Sequence, residues 1–204
     1  MVEMLSHRDL GGEGRPPLVL LHGMLGSSRN WLTTGADLAA RHHVLAPDLR
    51  NHGRSFHSEA MDYDELCGDV LRWLDAQGLG AVTLVGHSMG GFLAIRALIE
   101  RPTEMARHLR GCVLMATFAG DVNRKNLQNR IQIPMIQSGI MSKLIRSDAT
   151  AAFFAKSVIG DEKHPAMMNA FTASFRKSNL KQLVPILTAF VKEDRYDQLG
   201  NVSM

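Results

Sequence analysis

The chain has 204 residues and two cysteines. Two are too few for a disulfide framework, and this sparse use fits a reducing compartment. No stretch approaches the roughly 18 consecutive apolar residues of a membrane-spanning helix. The first twelve residues carry Glu3, His7, Arg8 and Asp9 and no apolar core of a secretory signal, so the expected location is cytoplasmic. Metal-binding spacings are absent as well: there is no H-E-x-x-H and no C-x-x-C. Gly11-Gly12-Glu13-Gly14 precedes a strand-like run instead of opening a helix, which excludes a phosphate-cradling loop. Neither a metal nor any other cofactor is expected. Charge of one sign is also scarce. Lys plus Arg is 23 against 20 for Asp plus Glu, a net +3, and no nucleic acid is expected as a partner. The sequence has no internal repeat and no low-complexity segment.

What remains is an ordinary globular composition, 45% apolar and 21% charged. The length suggests one domain, with or without an insertion. Four short apolar runs bounded by turn residues read as strands buried on both faces: Leu18–Leu21, His43–Pro47, Ala81–Gly86 and Cys112–Ala116. Helical patterns lie between them. The clearest opens at Asp62, with Glu65 at capping-box spacing. It carries Leu66, Val70, Trp73 and Leu74 as one apolar stripe and stops at Gly78. Alternation of strand and helix predicts a mostly parallel sheet with helices on both faces.

After Gly120 the strand signals stop. Residues 121–191 read as a helical insertion, with helices expected over Ala149–Val158 after a cap at Ser147 or Asp148, from Pro165 to Lys177, and from Leu180 onward after Ser178 with a kink at Pro185. From Asp121 to Lys181 ten basic residues stand against four acidic ones, read as a solvated basic face. The expected organisation is a core over 1–120, a helical insertion over 121–191 and a return to the core from 192 to 204.

Three segments carry chemistry. Gly86-His87-Ser88-Met89-Gly90 fits G-x-S-x-G and sits between a predicted strand and a predicted helix, the setting of a nucleophile elbow. A serine on so sharp a turn projects its hydroxyl from strained backbone, and the following helix N-terminus favours negative charge. His22-Gly23-Met24-Leu25-Gly26 follows the first core strand, a turn able to face its N–H groups toward a substrate oxygen. Asp48-Leu49-Arg50-Asn51-His52-Gly53-Arg54-Ser55 follows the second and reads as a hydrogen-bonded supporting loop. All three lie at carboxyl ends of strands, where open α/β sheets bind ligands.

On these residues the chain resembles the α/β-hydrolase superfamily, and within it the esterase-like members with a helical cap. The likeness is carried by His22-Gly23, by Asp48-x-Arg50-Asn51-His52-Gly53-x-Ser55 and by Gly86-His87-Ser88-Met89-Gly90-Gly91, in that order. It implies Ser88 as nucleophile and the backbone N–H groups of Met24 and Met89 as oxyanion hole. A serine at this position disfavours dehalogenases and epoxide hydrolases, whose relatives carry an aspartate there. The implied partner is a small-molecule ester, with 121–191 as the cap.

In this superfamily the acid and the histidine base follow the serine in the chain. Some members place the acid after the strand before the cap, where Asp121 stands. The usual acid and histidine strands, about 60 residues at roughly 30 per βα unit, find no counterpart before Met204, so the core is expected to be C-terminally incomplete. The last core strands would then be absent, and Cys112–Ala116 would form an exposed apolar edge prone to self-association. A monodisperse monomer in sedimentation would contradict that expectation. Two other readings share the scaffold: a binding module without turnover, and perhydrolase or acyltransferase chemistry on the same elbow.

Overall fold

The computed structural model describes residues 3–59, 61–121, 134–144, 146–159, 172 and 180–202. Among them one sheet forms from β1 (His7–Asp9), β2 (Pro17–Leu21), β3 (His43–Pro47), β4 (Val82–His87) and β5 (Leu109–Met115), in the order β1-β3-β2-β4-β5. β1 pairs antiparallel with β3, and the other pairings are parallel. From β2 the chain goes first to β3 on one side and then crosses to β4 on the other. The order therefore reverses between β2 and β4, and the carboxyl ends of these two strands flank the topological switch point. Leu21 is paired with Gly86 there, so the turns after β2 and β4 emerge side by side.

The core follows from strand alternation. Leu18 and Leu20 of β2 join Val44, Ala46 and Trp31 on one face. Leu38, the last residue of α1 (Leu32–Leu38), packs on the same cluster. On the opposite face Leu21 meets α3 (Met89–Glu100), where a Cβ added at Gly90 would stand 2.8 Å from the Leu21 Cβ. The helix α2 (Tyr63–Ala76) buries Leu66, Val70, Trp73 and Leu74, the stripe read from the sequence. The Asp62 side chain caps it by accepting from the Glu65 N–H at 2.9 Å. Its far end is a Schellman closure: Gly78 N–H reaches the Asp75 carbonyl and Leu79 N–H the Leu74 carbonyl. Gly78 sits at φ 63, a conformation that favours glycine.

The structure adds elements that the pattern did not mark. β1 is three residues long and polar. α1 carries Gly35 at its centre, packed on the Leu10 side chain. Pro102 ends α3 and also opens α4 (Pro102–His108), since a proline at a first helical position gives up no hydrogen bond. β5 begins three residues before the expected Cys112 and ends before Ala116, which turns to φ 44. It is not buried on both faces: Val113, Leu114 and Met115 are 49%, 45% and 40% exposed, on the strand that ends the sheet among the described residues.

The backbone divides into two compact units, Met1–Gly120 with Lys192–Met204, and Asp121–Val191. In the first, Gly120 forms an antiparallel bridge with Asp194, and the Arg195 N–H reaches the Ala119 carbonyl at 2.9 Å. The returning segment is pinned to α3 by Arg195–Glu100 and Arg96–Glu193 ion pairs. The second unit contains α5 (Ile140–Leu144), α6 (Asp148–Ile159) and most of α7 (Val184–Lys192). Met141, Ala151, Leu183, Ile186, Leu187 and Phe190 are buried in this stretch. Pro185 does not kink a helix. The turn Leu180–Leu183 is 3₁₀, and α7 starts afresh at Val184 with the proline in its first turn. Of the expected helix over Pro165–Lys177 the structure describes only Thr172, which is helical. Among the described residues no helix is long and apolar enough to cross a membrane.

Candidate active site

Ser88 stands between β4 and α3 with φ 52 and ψ −115, a backbone conformation that L-residues rarely adopt. Four hydrogen bonds hold it there. Its N–H donates to the Met115 carbonyl at 3.0 Å, and its own carbonyl accepts from the Gly91 and Phe92 N–H groups, each at 3.0 Å. The Thr117 hydroxyl donates to the same carbonyl at 2.7 Å. The Ser88 side chain makes no capping bond to the helix it opens. Small neighbours make the turn fit. A Cβ at Gly86 would lie 2.6 Å from the Gly91 Cα, and one at Gly90 would lie 2.8 Å from the His22 carbonyl oxygen. Such contacts are closer than carbon atoms tolerate, so a larger residue at either position forces the elbow apart.

The turn after β2 passes directly over this serine. A Cβ at Gly23 would stand 3.1 Å from the Ser88 Cβ. The Gly26 N–H donates to the Gly23 carbonyl at 3.0 Å, closing a four-residue turn. Leu25 sits at φ 64 within it. The backbone N–H groups of Met24 and Met89 have no acceptor among the described residues. Ser88, Met24 and Met89 are thus brought to one end of the sheet from two elements remote in sequence.

The Asp48–Ser55 loop supports them from below. Asp48 is buried, and its carboxylate accepts from the Ser28 N–H at 2.5 Å and the Arg54 N–H at 3.0 Å. Arg50 is buried against Asp69 and Glu65 of α2, which commits its charge to structure. His22 is buried; its Nδ1 faces the Gly23 carbonyl at 2.8 Å, and its Nε2 accepts the Leu49 N–H at 3.0 Å. His52 repeats the arrangement, with Nδ1 on the Arg50 carbonyl at 2.9 Å and Nε2 accepting the Leu25 N–H at 3.2 Å. The two ring centroids are 5.0 Å apart. An acceptor Nε2 and a carbonyl-facing Nδ1 fix both rings as neutral imidazoles protonated at Nδ1.

Burial pushes the His22 ring down from 6.5 to about 3, with the nearby His52 ring adding to the effect. Burial likewise lowers His52. The unfolded chain takes up protons on both rings below 6.5, whereas the folded His22 ring stays neutral to about 3. Stability from this source is therefore present above pH 6.5 and declines as the pH falls toward 3. The slope expected of the His22 ring between these values is about 1.4 kcal/mol per pH unit, and His52 adds in the same direction. Urea midpoints measured from pH 7 down to about pH 4.5, above the range where most carboxylates titrate, should fall steadily; a flat profile would contradict the neutral-ring assignment.

His87 packs edge-on against Trp31, with centroids 6.3 Å apart, and burial lowers its pKa. Among the described residues no histidine ring is hydrogen-bonded to the Ser88 hydroxyl; His7, His22, His43, His52 and His108 have other partners. Asp121 stands at φ 45, the first residue of the second unit. Among the described residues no group of three His, Cys, Asp or Glu is placed to hold a metal ion. Sequence reasoning did not find the Thr117 bond to the elbow, for which no pattern exists. It named His22 and His52 as loop residues without the backbone groups they hold.

Compared with known proteins, residues 16–190 match the family model described as alpha/beta hydrolase fold. The chain belongs to that family. It is 40% identical over 157 residues to esterase YbfF of Escherichia coli, covering 72% of this chain and 60% of that one. It is 42% identical over 104 residues to the dihydrolipoyllysine-residue acetyltransferase component of the acetoin cleaving system of Pseudomonas putida, covering 50% of this chain and 28% of that protein. The chain thus spans less than two thirds of these curated relatives. Among solved structures, the esterase EaEST of Exiguobacterium antarcticum superimposes with a TM-score of 0.81 at 19% identity, over 98% of this chain and 74% of the other; that likeness concerns the fold.

Proposed function

We propose that Ser88 is the nucleophile of a serine hydrolase that cleaves small carboxylic esters through an acyl-enzyme. The observation that carries this reading is the backbone of Ser88, φ 52 and ψ −115, held at the switch point beside a turn whose Met24 N–H has no protein acceptor among the described residues. Strain of this kind costs about 1–3 kcal/mol and persists where surrounding structure enforces it, most often at functional sites.

The chemistry runs as follows. The Ser88 oxygen attacks the ester carbonyl carbon while a histidine base takes its proton. The carbonyl oxygen becomes an oxyanion, stabilised by the Met24 and Met89 N–H groups and by the N-terminus of α3. Each such donor contributes about 2.7–4 kcal/mol of transition-state stabilisation. The carbon–oxygen bond to the alcohol breaks, the alcohol leaves with the proton, and water repeats the attack to release the acid. Asp121 is this chain's candidate for the acid that orients the base. The core over 1–120 and the return segment over 192–204 carry the nucleophile, and the helical unit over 121–191 is assigned the role of a substrate-selecting cap.

A second reading, acyl transfer, is favoured by the likeness to a protein named as an acetyltransferase component. Product analysis separates the two. With an activated acetyl ester and millimolar alcohol or thiol added, hydrolysis predicts free acid as the main product; dominant transfer to the added nucleophile would overturn the hydrolase assignment. No turnover in either arm would leave a binding module.

A further inference from the structure

The two backbone groups of Ser88 belong to different peptides, and one short segment meets both. The N–H lies in the His87–Ser88 peptide and donates to the carbonyl of Met115, the last residue of β5. The carbonyl lies in the Ser88–Met89 peptide and accepts from the Thr117 hydroxyl at 2.7 Å. Between these partners Ala116 stands at φ 44, which turns the chain at the end of the strand. A carbonyl has no proton to give, so the hydroxyl is the donor. The Ser88–Met89 peptide also carries the Met89 N–H, which has no acceptor among the described residues. In a trans peptide that N–H points opposite to the Ser88 carbonyl, so a bond that fixes the carbonyl also fixes the direction of the N–H. The Gly91 and Phe92 N–H groups reach the same carbonyl, each at 3.0 Å, but both belong to α3 and move with it. Among the described residues the Thr117 bond is the one that ties this peptide to the segment following β5. A Cβ at Gly91 would stand 2.6 Å from the Thr117 Cβ and 2.7 Å from the Gly86 carbonyl oxygen, so glycine at 91 leaves room for Thr117 against the elbow.

We propose that Thr117 is a positioning residue for the oxyanion hole: its hydroxyl holds the Ser88–Met89 peptide to the end of β5 and so directs the Met89 N–H at the oxygen bound beside Ser88. This rests on the assignment of Ser88 as nucleophile and Met89 as oxyanion donor. Two effects act together. The bond sets the angle of the peptide, on which the aim of the N–H depends. It also draws electron density toward the carbonyl oxygen, which makes the N–H of the same peptide a stronger donor. The Thr117 methyl group packs beside Gly91 and contributes shape alone, so the two roles of the side chain reside on different atoms.

Two pairs of side chains at 117 differ by the hydroxyl: threonine against valine, and serine against alanine. With variants made in the natural reading frame, loss of the hydroxyl in either pair should lower kcat about tenfold, the worth of one neutral hydrogen bond, with KM changed less than about twofold. Thr117→Ser keeps the donor and should stay within about threefold of the parent. Melting temperatures should run the other way. Thr117→Val keeps the packing beside Gly91 and should melt near the parent, whereas Thr117→Ser loses a methyl group and should melt lower. An alkylboronic acid, whose tetrahedral adduct on Ser88 places an oxygen in the hole, should bind Thr117→Val more weakly by the same factor as kcat falls. Activity that follows melting temperature across the four side chains would overturn the positioning role, as would a kcat ratio near one in either pair or an unchanged boronic acid affinity in Thr117→Val. Ser88→Ala is run alongside. If it keeps turnover, the serine-hydrolase reading itself fails; if it abolishes turnover while Thr117→Val is fully active, only the positioning role fails.

Discussion

Replacing Ser88 by alanine removes turnover, by roughly 10⁶-fold in kcat as for other serine nucleophiles, and leaves the fold unchanged. Replacing it by glycine removes turnover equally and makes the protein more stable. The second result follows from the backbone. Ser88 is held at φ 52 by the Met115 carbonyl on one side and the first turn of α3 on the other. Glycine adopts that conformation without the steric penalty of a Cβ. Relief of about 1 kcal/mol is expected, or about 2–4 °C in melting temperature for a chain of this size. An alanine at 88 keeps the Cβ and gains nothing. Greater stability on loss of the nucleophile is the signature of a residue held in strain for activity. Paired kcat and thermal measurements on the parent, Ser88→Ala and Ser88→Gly test it; a lower melting temperature for Ser88→Gly than for Ser88→Ala would show that the elbow is relaxed.

The largest stability loss is expected at a residue that never approaches the serine. Asp69 lies on α2 with its side chain 1% exposed, facing Arg50 Nε at 2.5 Å and bonded to a second guanidinium nitrogen at 2.9 Å. Arg72 also reaches its carboxylate. The pair raises the Arg50 pKa, chiefly through the Asp69 bond. Removing one partner of a buried pair strands the other charge, at about 3–5 kcal/mol. Asp69→Ala should fall near the lower end, because Glu65 still meets Arg50 at 2.7 Å. Asp69→Asn keeps the shape and loses the charge, and should lie between the parent and alanine. The consequence extends to the site: Arg50 tethers the loop that carries Leu49 and His52, the groups on which His22 and the Gly23–Gly26 turn rest. Denaturant midpoints check the stability, and a loss under about 1 kcal/mol in Asp69→Ala would show that the pair is solvated.

The sequence was legible where local chemistry and fold agree. Apolar runs marked β2, β3 and β4, and the α2 stripe emerged with its Asp62 cap and Gly78 stop in place. The elbow was legible because it needs a serine between two glycines at a strand–helix junction, a requirement written in five consecutive residues. β1 was not, because three polar residues pair at an edge with no periodicity to show it. α4 was hidden by Pro102, which reads as a stop but serves here as a start. At Pro185 the same ambiguity produced an expected kink where the structure has a helix beginning. The exposure of Val113, Leu114 and Met115 could not be read from the run itself, since burial depends on what lies beside the strand. The bonds from His22 and His52 to the turn over Ser88 join residues 27 apart, and no spacing rule marks them.

Everything proposed for this site depends on Ser88 acting as the nucleophile. Treating the protein from its native source with a fluorophosphonate probe, followed by peptide mapping, tests it most directly. A single phosphonylated site is expected, on the Ser88 oxygen of the peptide containing Gly86-His87-Ser88-Met89-Gly90, with no labelling of Ser88→Ala. An unlabelled Ser88 in the folded protein, or label on another residue, would contradict it.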